Sequence, residues 1–314
     1  MARNGPGIAV IMLTLNQRDM TLQCLASLQA QTDVQFQVLV WDNGSRDGTV
    51  EAIGERFPNV LTHYSPTNLG VAAGRNAAAN RAIETIQPAY LLFLDNDMVL
   101  EPGFVSSLVK PLEGNWQVGQ VQAKLRFMHD PSRLNDGGGA RINYLLWQSS
   151  PVGYKEIDRG QHDQVKRCIA CGGAMMVRTA IFQQLHGFDT TFNPFGPEDL
   201  DFSLRLQQAG YLALYVPDAV AYHVVSHTYG RGYNQAYARH KSRHWFLFMR
   251  RHASPLQQAG FFLLGMPYLA VRTLIREGRK GNMAAIQGLV QGLLDLLNSP
   301  HSTAKHGHRN GEHP

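Results

Sequence analysis

The chain has 314 residues, of which 44% are apolar and 17% charged, and its formal net charge is +5. This composition is typical of a globular protein with a large core and excludes a disordered or collagen-like chain. Three cysteines are too few for a disulfide framework and the first apolar stretch is too short for a signal peptide, so we expect a cytoplasmic protein.

Strands and helices alternate in the first hundred residues. Short apolar runs predict strands at residues 8–15, 36–41, 60–63 and 90–94. Apolar residues at three- to four-residue spacing predict helices at residues 22–28, 50–57 and 70–86. This order predicts an α/β fold with a mainly parallel central sheet that has helices on both faces.

Polar clusters in this region lie at the ends of the predicted strands or open the next helix. They are residues 14–16, 42–47, 68–76 and 95–97. Because parallel sheets bind ligands at the carboxyl ends of their strands, we expect these clusters to form one site. The sequence has no G-x-G-x-x-G after the first strand and no G-x-x-x-x-G-K-[ST], which argues against dinucleotide oxidoreductases and P-loop NTPases.

The strand at residues 90–94 leads directly into two acids, Asp95 and Asp97. Residues i and i+2 of a strand project to the same side, so both carboxylates can share one divalent metal. Oxygen ligands suit Mg²⁺ or Mn²⁺, which often complete their shells with substrate phosphates. A solvated turn capped by an aspartate is the alternative interpretation of this pattern.

A second acidic cluster, Glu198, Asp199 and Asp201, begins a predicted helix. We expect Asp201 to complement the helix dipole. Asp199 is the better candidate for a carboxylate that takes a proton from an acceptor hydroxyl. His223 follows a predicted strand and is either a third metal ligand or an ordinary hydrogen-bonded histidine.

Together these motifs resemble the inverting glycosyltransferases of family 2, which have the GT-A nucleotide-diphospho-sugar transferase fold. The resemblance covers about residues 8–250, and is strongest to the rhamnosyltransferase-like branch of bacterial surface-polysaccharide enzymes. The matching segments, in family order, are VIMLTLN (10–16), VWDNGSRDGT (40–49), NLGVAAGRNAA (68–78), FLDNDM (93–98), CGGAMMVRTAIF (171–182), HGFD (186–189), PEDLDFSLRLQQAGY (197–211) and His223.

The resemblance implies roles for residues on the donor side. Thr14, Asn16 and Asp42 would line the nucleotide pocket, with Asp42 facing the base. Asn68 and Arg75 would lie near the ribose and the diphosphate. The donor implied is a nucleotide-diphosphate sugar, linked to dTDP or UDP.

The resemblance also implies a metal site for Mg²⁺ or Mn²⁺. Asp97 would bind the metal, His223 would help at the metal or the diphosphate, and Asp95 would lie near the metal and near the ribose or the donor sugar. These three residues are therefore the predicted metal site.

On the acceptor side, the resemblance implies that Asp199 is the general base, with Glu198 beside it. Gly172 and Gly173 would leave room for the donor sugar or the acceptor. The implied reaction is metal-dependent transfer of one sugar, with inversion, to a hydroxyl of a glycan or lipid-linked glycan.

The chain is predicted to have a catalytic domain at 1–255, with a nucleotide-sugar half at about 1–115 and an acceptor half at about 116–255. Amphipathic and hydrophobic helices are expected at 256–298, and a disordered tail at 299–314. Nine Lys or Arg residues stand against one acid between residues 239 and 280. The helices therefore either contact the cytosolic face of the inner membrane or pack on the catalytic domain or on a homodimer partner.

Two other functions remain open at this point. A sugar nucleotidyltransferase would bind similar ligands, but it would be expected to have a Gly-rich basic loop after the first strand, where this chain has TLNQRDM. A catalytically inactive sugar-nucleotide-binding subunit of a polysaccharide assembly complex is the other alternative. Nucleic-acid binding is not expected, because the sequence contains no recognition module.

Overall fold

The computed structural model describes residues 7–225 and 233–298. The predicted disordered tail at 299–314 lies outside the described residues. The strands are β1 (Ile8–Thr14), β2 (Gln37–Asp42), β3 (Leu61–Tyr64), β4 (Tyr90–Asp95), β5 (Met98–Leu100), β6 (Val118–Phe127), β7 (Leu134–Asp136), β8 (Ala140–Asn143), β9 (Gln148–Pro151), β10 (Lys166–Arg167), β11 (Ala174–Arg178) and β12 (Leu212–His223).

The helices follow the strands as predicted in the first hundred residues. They are α1 (Arg18–Gln29), α2 (Thr49–Arg56), α3 (Val71–Thr85), α4 (Phe104–Gly114), α5 (Thr179–Gln184), α6 (Glu198–Gln208), α7 (Gln235–His252), α8 (Pro255–Gly260), α9 (Met266–Gly278) and α10 (Met283–Asn298). A 3-10 turn covers Thr190–Phe192, and a π-helical turn at Phe261–Gly265 joins α8 to α9.

Ten of the described strands form one mixed sheet. Its order is β10-β12-β6-β11-β4-β1-β2-β3, with β5 beside β12 and β7 beside β6. Strands β3, β2, β1 and β4 are parallel, as is the pair β6 and β12, whereas β11 runs antiparallel between β4 and β6. The predicted sheet with flanking helices is confirmed, and strands from both predicted halves of the catalytic domain share it.

The central strands β1 and β4 are apolar on both faces because helices cover both sides of the sheet. On one face they pack against Leu25 of α1, with Leu108 of α4 in the same core. On the other face they pack against Ala78 of α3 and Phe182 of α5. The strand ends are thereby fixed, which positions the polar residues that follow them.

The C-terminal helices form the predicted appendage. Helix α10 packs back along α7 through two glycines: a Cβ at Gly288 would overlap the carbonyl oxygen of Gln235, and one at Gly292 would overlap that of Arg239. Arg239 also forms an ion pair of 2.6 Å with Asp295. Helix α10 therefore belongs to the catalytic body, which supports the packed arrangement for this helix.

Helices α8 and α9 and the π-helical turn form one continuous 24-residue helix, Pro255–Gly278. By length and composition this helix could cross a membrane, and its most apolar window is only 11% buried. Leu263 and Leu264 are 75% and 67% exposed. An uncovered apolar surface of this kind is unusual for a water-exposed face.

Candidate active site

One cavity of about 800 Å³ lies where β1, β4 and β12 end. The predicted site residues that line it are Thr14, Asn68, Arg75, Asp95, Asp97, Gly172, Glu198, Asp199 and His223. Three other predicted residues, Asn16, Asp42 and Gly173, are not part of its wall. The structure therefore brings most of the predicted site residues together around one cavity.

Asp42 is fully buried beneath the loop that follows β2. Its Oδ1 accepts hydrogen bonds from the amides of Gly44 and Ser45, whereas its Oδ2 has no hydrogen-bond partner among the described residues. Asn16 accepts a hydrogen bond from the amide of Arg46. In this structure the side chains of Asp42 and Asn16 therefore stabilise the loop, because the tight turn places its backbone amides within hydrogen-bond distance of them. The neighbouring Asn43, which was not predicted, lines the cavity instead.

Thr14 and Asn68 reach the cavity, but their side chains also have local partners. The hydroxyl of Thr14 lies 2.8 Å from that of Thr21 and 3.2 Å from the amide nitrogen of Asn96. Asn68 Oδ1 accepts a hydrogen bond from the amide of Gly70 just before α3. These contacts fix the two loops that border the donor side of the cavity.

Asp95, Asp97 and His223 form a cluster that can hold a metal ion. One ligand atom from each lies within 4.8 Å of the other two. Asp95 ends β4, Asp97 follows in the turn to β5, and pairing of β5 with β12 places His223 opposite Met98. Two carboxylates and one imidazole form a donor set that accepts Mn²⁺ or Mg²⁺. The residues present therefore fit the predicted metal.

The orientation of His223 supports this assignment. Its Nδ1 lies 3.0 Å from Oδ1 of Asn135, and its Nε2 lies 3.3 Å from Oδ1 of Asp97. An acceptor at Nδ1 favours the tautomer protonated there, which leaves the Nε2 lone pair available to a metal. Burial lowers the pKa of His223, but Asp97 outweighs this effect and raises it above the ordinary value. Asn135 has no local sequence signal and was not predicted.

Arg75 of α3 connects the two sides of the cavity. Its Nη2 lies 2.7 Å from Oδ1 of Asp95, and its Nη1 lies 3.3 Å from Oε1 of Glu198. Burial alone would lower the pKa of Arg75, but Asp95 and Glu198 raise it above the ordinary value. The guanidinium is therefore charged and held by carboxylates of the protein.

Asp199 lies at the start of α6 with its carboxylate at the cavity wall. Its Oδ1 accepts a hydrogen bond of 2.7 Å from the amide of Leu200, and its Oδ2 accepts one from the amide of Gly172. Burial raises the pKa of Asp199. Burial and the neighbouring Asp199 also raise the pKa of Glu198, whose carboxylate is occupied by Arg75. Asp199 is thus the acid of this pair with the more available carboxylate.

The two predicted glycines differ in their surroundings. Gly172 has a φ of +66° and no atom would lie within 4 Å of a Cβ there, so it faces open space. At Gly173 a Cβ would overlap Cε of Met98 and lie 2.9 Å from Oδ2 of Asp95. The expectation of ligand room at Gly173 is therefore corrected, because the protein's own side chains fill that space.

Asp201 is more than a helix-dipole partner. Its carboxylate is buried, forms an ion pair of 2.7 Å with Arg205, and lies within hydrogen-bond distance, 2.9 Å, of Nε2 of His252 in α7. These contacts fasten α6 to α7 and so support the position of Asp199 two residues away. The sequence showed the acid but not its distant partner.

Comparison with known proteins identifies the family. Residues 9–185 match the family model for glycosyl transferase family 2, and residues 164–228 match that for the N-terminal domain of galactosyltransferase. The chain belongs to glycosyltransferase family 2. The N-acetylglucosaminyl-diphospho-decaprenol L-rhamnosyltransferase of Mycobacterium tuberculosis is 29% identical over 84% of this chain and 92% of its own length. Glycosyltransferase AglE of Haloferax volcanii is 26% identical over 69% of this chain and 67% of its own length.

Solved structures with a similar fold are also glycosyltransferases. Mannosyltransferase PcManGT from Pyrobaculum calidifontis, in complex with GDP-Man and Mn²⁺, has a TM-score of 0.56 at 21% identity and covers 94% of this chain and 82% of its own. GalNAc-T7 with UDP, GalNAc and Mn²⁺ has a TM-score of 0.59 at 17% identity, covering 73% of this chain and 45% of its own. These structures confirm the predicted GT-A fold, and the family match together with the mycobacterial relative confirms the rhamnosyltransferase-like family 2 enzyme class.

Proposed function

We propose that this glycosyltransferase is metal-dependent and inverting, and that it moves a sugar from a dTDP- or UDP-linked donor to a hydroxyl of a lipid-linked glycan. The observation that carries the proposal is that the metal cluster and Asp199 line one cavity. The named substrate of the mycobacterial relative, an N-acetylglucosaminyl-diphospho-decaprenol, supports a lipid diphosphate acceptor, and its rhamnosyl specificity supports a deoxyhexose donor.

On the donor side, the negative charge of the cavity wall favours binding of a cation. Among the described residues, four acids line it, Asp95, Asp97, Glu198 and Asp199, against the guanidinium of Arg75. A nucleoside diphosphate would be repelled by this wall unless a divalent ion were bound. Such an ion, held by Asp95, Asp97 and His223, would neutralise the charge that develops on the leaving diphosphate.

The buried Oδ2 of Asp42 supports a nucleotide pocket beside this metal site. An acceptor that is buried without a hydrogen-bond partner is costly, and an N–H group of a nucleotide base would satisfy it. The adjacent Asn43 already lines the cavity. Because Asp42 is fully buried behind this wall, the role first implied for it requires the loop after β2 to move when a nucleotide binds.

On the acceptor side, Asp199 takes the proton of the attacking hydroxyl. The acceptor oxygen forms a bond to the anomeric carbon while the bond from that carbon to the diphosphate oxygen breaks, so the configuration inverts. The raised pKa of Asp199 makes it a stronger base than an exposed carboxylate. Hydrogen bonds from Gly172 and Leu200 hold the carboxylate in place during this transfer.

The uncovered apolar face of Pro255–Gly278 supports peripheral contact with a membrane, where a lipid-linked acceptor resides. We place the enzyme in the cytoplasm, on the inner membrane.

The test is donor binding followed by turnover. Thermal shift with UDP-, dTDP- and GDP-sugars, with and without Mn²⁺ or Mg²⁺, should show metal-dependent stabilisation by one nucleotide class. Asp97→Asn should abolish that dependence, whereas Asp199→Asn should keep donor binding and lose transfer. The exposed Asp19→Asn is the matched control. Near-native transfer by Asp199→Asn would refute the base assignment, and metal-dependent donor binding without transfer to any acceptor would instead indicate an inactive subunit.

A further inference from the structure

A second cavity, the apolar groove, lies beneath the exposed helix Pro255–Gly278. It has a volume of about 400 Å³, and its walls come from α7, α9, α10, the π-helical turn and the segment before β9. The large side chains that form it are Trp147, Trp245, Phe261, Leu269, Ile286 and Leu289. Trp147 and Phe261 stack with ring centroids 3.6 Å apart, so one wall is flat and aromatic. Such walls favour an apolar ligand over water.

The helix above the groove does not traverse a bilayer. Its 24 residues would extend about 36 Å, which is enough to cross one. However, α7 precedes it and α10 returns to pack on α7, so both of its ends lie beside the catalytic body. A cavity wall formed by Phe261 and Leu269 also ties one side of the helix to the protein. The exposed apolar face of this helix is therefore suited to lie along a membrane surface, with the groove next to it.

The groove lies next to the active site, and the two share lining residues in and just before α7. Tyr233 lines both the catalytic cavity and the groove. Lys241 and Trp245 line the groove and a smaller cavity of about 300 Å³ whose wall includes Asp199. Tyr237, one helical turn before Lys241, lines that smaller cavity and the catalytic cavity. These shared residues place the three cavities side by side, from the apolar walls to the proposed base.

The part of the groove next to the active site, formed by Lys241 and Arg276 and called the neck, is cationic. Lys241 and Arg276 both line the groove, and Arg276 lowers the pKa of Lys241 after the larger effect of burial. Among the described residues Lys241 forms no ion pair, and its ammonium lies 5.6 Å from the ring of Tyr233. Arg276 is paired with Glu277, so the neck retains an uncompensated positive charge. A partly buried cation next to another cation is complementary to a diphosphate.

We propose that the apolar groove binds the first isoprene units of a polyprenyl diphosphate-linked acceptor, with the diphosphate beside Lys241 and Arg276 and the acceptor sugar directed to Asp199. The inference rests on the proposed transferase function and adds a binding site for the lipid portion of its acceptor. The apolar walls, the cationic neck and the proposed base follow one another in the same order as the lipid, the diphosphate and the sugar of such a molecule.

The experiment compares acceptors that differ only in the lipid. N-acetylglucosamine linked through diphosphate to farnesyl or to ethyl is supplied to the full-length enzyme, and the acceptor KM is measured. We expect the farnesyl acceptor to have a KM at least about ten-fold lower, because several methylene groups leave water on binding. Equal KM values for the two acceptors would overturn the proposal.

Two matched variants test the groove itself. Ala270→Phe places a ring in the groove at an exposed position, whereas Ala259→Phe adds the same ring at an exposed position outside it. Ala270→Phe should raise the farnesyl KM about ten-fold and leave the ethyl KM unchanged, and Ala259→Phe should change neither. An unchanged farnesyl KM in Ala270→Phe would refute the groove assignment. If Ala270→Phe instead changed only the oligomeric state, measured by sedimentation, the groove would be an interface between copies.

The cationic neck is tested with Lys241→Gln. Wild-type enzyme should prefer the farnesyl diphosphate acceptor to octyl N-acetylglucosaminide, which lacks the diphosphate, and the variant should lose about ten-fold of that preference. An unchanged preference would remove Lys241 from the site. If wild-type enzyme neither hydrolyses any donor nor transfers to any acceptor, the proposed function fails; if it transfers to both acceptors without regard to chain length, only this inference fails.

Discussion

Replacing Arg75 tests how the two sides of the active site are held together. Arg75 and Glu198 lie 3.3 Å apart, and their side chains are only 9% and 6% exposed. At an effective dielectric constant of about 20, the attraction between these charges is about 5 kcal/mol before desolvation is subtracted. Asp95 lies closer, at 2.7 Å, but 37% of its side chain is exposed, so solvent screens part of its attraction. Because burial raises the pKa of Glu198 to about 8, this pair is fully charged only above that pH, where Arg75→Met should lower the free energy of unfolding by about 3–5 kcal/mol.

The loss should depend on pH. In Arg75→Met the carboxyl of Glu198 stays buried without its cation, so its pKa rises further above the unfolded value. At low pH the group is protonated in both states and costs nothing, whereas rising pH ionises it first in the unfolded chain and so favours unfolding. Wild-type Glu198 is itself protonated well below its raised pKa of about 8, so the destabilisation should be smaller at about pH 5 than at about pH 9.

Urea unfolding of metal-free protein at both pH values measures these differences. Arg81→Met is the matched control, since Arg81 lies on the same helix and its side chain is 54% exposed. The double variant Arg75→Met/Glu198→Gln should lose much less than the sum of the single losses, because no buried carboxylate is left unpaired. Additivity within about 0.5 kcal/mol, or equal losses at both pH values, would refute the buried-pair explanation.

Three further predictions follow from the site and the helical pair. Asn135→Leu should weaken Mn²⁺ binding by about 10- to 100-fold, measured by calorimetry, because His223 loses the acceptor that orients it; unchanged affinity would remove Asn135 from the metal site. The kcat/KM should fall as the pH drops through a pKa above the ordinary aspartate value of about 3.9, since the base Asp199 must be ionised; a profile flat down to about pH 4 would contradict this. Gly292→Ala should lower the free energy of unfolding by about 1–3 kcal/mol, because the added methyl group overlaps α7. Gly278→Ala is the control and should not destabilise, because its methyl group would meet nothing within 4 Å. Equal midpoints of urea unfolding for the two variants would count against the contact between α10 and α7.

The sequence was most informative where local pattern and chemistry coincide. An apolar strand that ends in Asp95 and Asp97 predicts both the strand and the acidic edge, because the carboxylates must lie where β4 leaves the core. The order of strands and helices likewise predicted the parallel part of the sheet. Polar loops at the carboxyl ends of these strands then had to meet at one edge.

The remaining features depend on distant contacts that leave no local pattern. Asn135 contributes to the site only because β7 pairs with β6, which brings it to His223 at the end of β12. The partner of Asp201 is His252, in a helix whose position is not encoded near either residue. The space beside Gly173 could not be predicted for the same reason, because the side chain that fills it, Met98, lies on β5, far away in the sequence. Tertiary packing decides all three.

The interleaved strand order has a consequence for biosynthesis. Strand β5 and the metal-ligand turn emerge early, but their partner β12 is the last strand of the sheet to leave the ribosome. A nascent chain that stops before His223 has Asp95 and Asp97 without the histidine, and β5 and β6 without β12, the strand that pairs with both. Contacts between such distant segments form late in folding. The cluster of Asp95, Asp97 and His223 is therefore completed near the end of folding.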